Sequence, residues 1–162
     1  LDVVDEQRLV AGCVCAPSYW RLREKLGQPL AKVHEPVDGM NAKIGENIRR
    51  FVANAPVGQA FGRSNWFLHG DGELFHDRSE GSLELPVEQW IVRCERQSLC
   101  RISARYVLFT IDVVCEPLSD LEGFADAQAD LAVALAVMDA DEIRHFGGLE
   151  KHRRLANYVA RF

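Results

Sequence analysis

The sequence predicts an α+β domain, an antiparallel sheet with helices packed on one face. Three observations predict it. Strand-like stretches at residues 60–69, 90–100 and 106–114 follow one another with turn residues between them, which favours antiparallel pairing. Helical periodicity is confined to the segments before and after those strands. The length, 162 residues with 48% apolar side chains, suits one ordinary domain with a real core. No internal repeat or low-complexity run interrupts it, so residues 1–162 read as a single domain.

The elements follow in order. Leu9 to Cys15 is a short apolar run with strand character. Pro17-Ser18 breaks it and opens a helix from Tyr19 to about Leu26, ended by Gly27. Leu30 to Val37 is a connector carrying His34, and Pro36 forbids a long helix there. Met40, Ile44, Ile48, Phe51 and Val52 then fall on one helical face, and Asn54 to Gly58 ends that helix. Ala60 to His69 alternates as a strand with Arg63 and Asn65 on one face and Trp66 on the other, where a core role is simplest. His69-Gly70-Asp71-Gly72 is a turn and Asp77 to Gly81 a polar loop. After the central strand and a turn near Ser103-Ala104 comes an apolar strand from Tyr106 to Val114. Ser119-Asp120-Leu121-Glu122 has the capping-box pattern and opens a helix to about Val137. A last helix runs from roughly Asp141 to Tyr158.

The central strand, Trp90 to Cys100, carries the chemistry. Alternation puts Arg93, Glu95 and Gln97 on one face, and Trp90, Val92 and Cys94 on the other. A solvated face is the ordinary reading of such a polar row. With apolar strands around it and a second polar strand at Arg63-Ser64-Asn65-Trp66, a pocket floor is the alternative.

Charge and composition exclude several classes. Net charge is −5 with no basic run, which argues against nucleic acid. No apolar stretch reaches the roughly 20 residues of a membrane span, and no signal-peptide pattern is read. The chain opens at Leu1 rather than Met, so an upstream segment is expected. The five cysteines, Cys13, Cys15, Cys94, Cys100 and Cys115, show no metal or redox spacing. They are expected to be reduced thiols in the cytoplasm, mostly small core residues, and an iron–sulfur cluster on this chain is not expected.

A small sheet under helices is the shape of a PAS-like sensor or cofactor-binding fold. Five segments then carry a resemblance. Ala16-Pro17-Ser18-Tyr19-Trp20-Arg21-Leu22, with Glu24-Lys25-Leu26-Gly27 and Pro29-Leu30, is similar to the opening of the heme-dependent oxidative N-demethylase catalytic (alpha) subunit family. Val33-His34-Glu35-Pro36-Val37, Arg63-Ser64-Asn65-Trp66, Arg93-Cys94-Glu95-Arg96-Gln97-Ser98-Leu99 and Leu108-Phe109-Thr110-Ile111 resemble it too, in the family's order. The match covers about Leu9 to Leu118, and the last 40 or so residues match only loosely.

The resemblance implies a PAS-like domain that binds heme b and removes methyl groups oxidatively from small secondary or tertiary amines, releasing formaldehyde. It also implies a monooxygenase-type oxidoreductase that receives electrons from separate flavin and iron–sulfur proteins, a reductase partner. Heme needs an axial ligand, most often a neutral imidazole. Of the five histidines, His69 and His76 flank a glycine-rich turn and are expected to be exposed. His145 and His152 read as surface or helix-end residues, and His34 stands where the family has its histidine. Arg63, Asn65, Arg93 and Gln97 would hold the cofactor, with Arg63 pairing a propionate or steering a polar intermediate. Glu95 is expected to bind the cationic amine or move its proton, its plain alternative being an ion pair with Arg63, Arg93 or Arg96.

Two positions depart from the family. Asp112 stands where a basic residue is usual, and Gly62 replaces an acidic residue before Arg63, which leaves the substrate open. Two rival readings are a non-catalytic heme or small-ligand sensor of PAS-like kind, and a structural subunit that kept the fold without the cofactor.

Overall fold

A computed structural model describes residues 1–2, 7–34, 41–77 and 85–161. Met40, the residues after His34 in the connector, and the loop beyond Asp77 lie outside the described residues. The elements are α1 (Leu22–Lys25), α2 (Leu30–Val33), a π-helical turn Asn41–Gly45 leading into α3 (Glu46–Asn54), β1 (Ala60–His69), β2 (Ile91–Arg101) and β3 (Val107–Pro117). A 3₁₀ turn Leu118–Gly123 then leads to α4 (Ala125–Val137), α5 (Ala140–Phe146) and α6 (Leu149–Val159). The strands form one antiparallel sheet in the order β1-β2-β3, so the fold is α+β.

The chain divides into two compact units, one of Leu1–Asn65, Leu74–Arg78 and Glu95–Val113, the other of Trp66–Glu73, Ser79–Cys94 and Val114–Phe162. In the first, Val52 of α3 and Val107 of β3 are the buried centre, with Leu1, Leu30, Ile48 and Leu99 packed on them. Val52 and Ile48 lie four apart on one helical face, the spacing that makes α3 amphipathic. A 3.0 Å bond from the Leu9 N–H to the Gln28 carbonyl and a 2.7 Å bond from the Gly27 N–H to the Leu9 carbonyl tie the N-terminal stretch to the α1–α2 connection. Leu9 to Cys15 forms no strand, since the pairing with that connection stops at Leu9.

Helix α1 starts at Leu22 rather than Tyr19. Tyr19 has φ +61° and bonds to His76, which keeps it out of a helical conformation. Gly27, at φ +78°, ends the helical turn as expected. Leu30 to Val33 winds a single turn, with the His34 N–H donating to the Leu30 carbonyl at 3.1 Å.

The second unit is built around Trp90 and Leu118, with Leu68 of β1, Leu135 of α4, and Leu155, Tyr158 and Val159 of α6. The Leu118 N–H donates to the Trp90 carbonyl at 2.7 Å, and the Trp90 indole N–H donates to the Leu85 carbonyl at 3.2 Å. The Arg154 guanidinium covers the Trp90 ring at 4.9 Å. Trp66 packs against this core, as expected.

Two helical expectations are corrected here. Residues 119–122 form a 3₁₀ turn, not a capping box on α4; the capping box belongs to α5, where Asp139 accepts from the Asp141 and Glu142 N–H groups and Glu142 reaches back to the Asp139 N–H. The last helix is two. Gly147 and Gly148, at φ +119° and +94°, break it with a conformation only glycine takes readily.

Candidate functional site

The alternation of β2 survives in the fold. Glu95 is 5% and Gln97 7% exposed, whereas Cys94 and Arg96 between and beside them face solvent. A buried carboxylate on a sheet needs donors. Gln97, two residues on and therefore on the same face, donates its amide to Glu95 Oε2 at 2.9 Å. Its carbonyl oxygen accepts from Arg63 Nε of β1 at 2.6 Å. Cation, amide and carboxylate thus form a chain in which Gln97 links Arg63 to Glu95. Of the three arginines that are the plain alternative partners of Glu95, Arg63 is joined to it through Gln97.

Arg63 itself is exposed, and its two terminal nitrogens carry no bond among the described residues. Asn65, two residues along β1 and on the same face, is half-buried. The opposite face of β2 and β3 is marked by a 2.7 Å bond between the Ser98 and Thr110 hydroxyls. Since neighbours alternate, Phe109 and Ile111 share the face of Gln97, and they are 44% and 43% exposed. The polar row of Glu95 and Gln97 is therefore flanked on β3 by two apolar side chains open to contact.

His34 caps α2 in the same unit and is half-buried. Burial lowers its imidazole below the ordinary 6.5, and the charges of Arg63 and then Lys25 lower it further. The ring is consequently neutral at pH 7, with a lone pair on one nitrogen. Lys25 is a contributor that the sequence does not reveal, since it stands nine positions before His34 with a helix break between them.

Arg93 is buried as well, two residues before Glu95 on β2 and on the same face by alternation. His69 is only 2% exposed, a correction to its reading as an exposed turn residue: it is the last residue of β1 and faces inward. His76 is half-buried against the Tyr19 ring at 5.1 Å, also less open than expected. His145 is exposed on α5 beside Phe67, and His152 contacts the Leu135 carbonyl at 3.0 Å. Nor are the cysteines mostly core, for Cys13, Cys15 and Cys94 are exposed. Among the described residues no three His, Cys, Asp or Glu side chains gather as a metal site, and no helix is long and apolar enough to cross a membrane.

A comparison with protein families matches residues 2–156 to the model described as "Haem-dependent oxidative N-demethylase, alpha subunit-like". The chain belongs to this family. A search of curated proteins found no match. For the N-demethylase-like family the description itself indicates heme dependence and oxidative chemistry. Membership covers nearly the whole chain, so it reaches the loosely resembling C-terminal residues as well as the five quoted segments.

Proposed function

We propose that this chain binds heme b through His34 and catalyses oxidative N-demethylation of a small secondary or tertiary amine. The observation that carries the reading is the Arg63–Gln97–Glu95 chain on the sheet face, in a member of this family and in the same unit as a neutral histidine.

The residues present suit a porphyrin. An iron held by four porphyrin nitrogens asks for a single neutral imidazole, which His34 offers. Arg63 has its two terminal nitrogens available for a propionate. Phe109 and Ile111 give the same sheet face apolar side chains to lie against a macrocycle. Bound heme would supply the oxidation of the N-methyl group, with electrons from separate flavin and iron–sulfur proteins.

The chain's own side chains do the rest. Glu95 binds the ammonium form of the amine through its carboxylate and takes the proton that must leave before the nitrogen lone pair is free. Gln97 fixes the rotamer of Glu95, so the carboxylate meets the amine without reorganising. Burial of the pair strengthens that contact relative to water.

Formaldehyde release from dimethylamine, measured with heme-loaded protein and a chemical electron donor, tests the proposal. Release that falls at least tenfold in Glu95→Gln, at unchanged heme content, is the expected result. Full heme loading with no formaldehyde from any small methylamine would leave the sensor reading in its place.

A further inference from the structure

Cys13 and Cys15 lie on the stretch that leads into α1, and both face water. The two sulfurs stand 3.9 Å apart in a thiol hydrogen bond. The segment is held on either side of them. Gly12 sits so close to α1 that a Cβ there would come within 3.0 Å of Leu22 Cδ1. Pro17 is buried, and its carbonyl accepts from the His76 N–H at 3.0 Å. The thiols are thus presented together at the surface, and oxidation would bring the sulfurs from 3.9 Å to the roughly 2 Å of a disulfide.

We propose that Cys13 and Cys15 form a dithiol–disulfide couple that exchanges with small-molecule disulfides. The Cys13 thiolate attacks one sulfur of the external disulfide, whose other half leaves as a thiol after taking up a proton. The Cys15 thiol then gives up its proton and attacks the Cys13 sulfur of the mixed disulfide, releasing the second external thiol. Two electrons pass from the protein sulfurs to the external disulfide, one protein S–S bond forms and one external S–S bond breaks. Hydrogen bonding to Cys13, followed by the charge of Cys13, raises the Cys15 thiol above its ordinary range, which keeps it protonated during the first step. This couple is independent of the heme reading.

The test incubates the full chain with oxidised glutathione, blocks remaining thiols with iodoacetamide and digests with trypsin. Cleavage after Arg8 and Arg21 yields a peptide, Leu9–Arg21, holding both cysteines and no other. The expected peptide is lighter by two hydrogens, free of glutathione and of alkylation, and is restored by dithiothreitol. In Cys15→Ser the same peptide should carry one stable glutathione on Cys13. A wild-type peptide that carries one or two stable glutathiones, or that remains fully alkylated while the Cys94 peptide reacts, would overturn the proposal.

Discussion

Gln97 donates its side-chain amide to the Glu95 carboxylate at 2.9 Å, and both side chains are buried on one face of β2. Replacing Gln97 by Leu keeps the volume but strips the carboxylate of that donor and Arg63 of its acceptor. The cost should be about 1–3 kcal/mol of stability, since a buried acceptor is left short of a partner. Denaturant melts of the wild type and Gln97→Leu measure it, and equal midpoints would contradict the arrangement.

His34 gives a pH-dependent prediction. Its folded pKa is below the ordinary 6.5, so the unfolded chain binds the proton more readily. The stability this ring contributes is fully present above pH 6.5 and is lost as the pH falls through the lowered folded value. The wild type should therefore lose more stability between pH 7 and 5 than His34→Gln, which has no imidazole to protonate. Parallel stability curves for the two proteins would refute this.

Lys151 is buried in the second unit, where its ammonium donates to the Leu68 carbonyl and lies 5.2 Å from the Phe146 ring centre. Lys151→Ala loses the hydrogen bond, the cation–π contact and the packing of the stem, for about 2–4 kcal/mol. Lys151→Met keeps the stem and should cost less than Lys151→Ala. Thermal melts rank the two variants, and the reverse order would show that packing is not the larger part.

At the N-terminus of α5, Asp139→Ala removes the cap that accepts from two backbone N–H groups. A loss of about 1 kcal/mol is expected, read by denaturant unfolding, with no change in heme content.

Much of this was legible in the sequence, and the limits have physical causes. Strand β1 stands where the alternation from Ala60 to His69 placed it, because a period of two is a local signal. The same locality made the Glu95–Gln97 face readable. The bond from Arg63 to Gln97 spans 34 residues and depends on strand register, which no single segment encodes. The division of the last helix was written in Gly147-Gly148, yet the apolar periodicity on both sides read through it. Residues 119–122 match the capping-box pattern but follow Leu118, whose burial and bond to Trp90 fix a 3₁₀ turn instead. His69 looked exposed beside glycines, and only the strand it terminates explains its burial.

The central claim is that the imidazole of His34 holds a heme iron. Absorption spectra of the purified protein titrated with hemin, compared with those of His34→Ala, test it most directly. The account predicts a sharp Soret band saturating at one heme per chain in the wild type and only the broad spectrum of unligated hemin in the variant. An identical Soret band in both would contradict it.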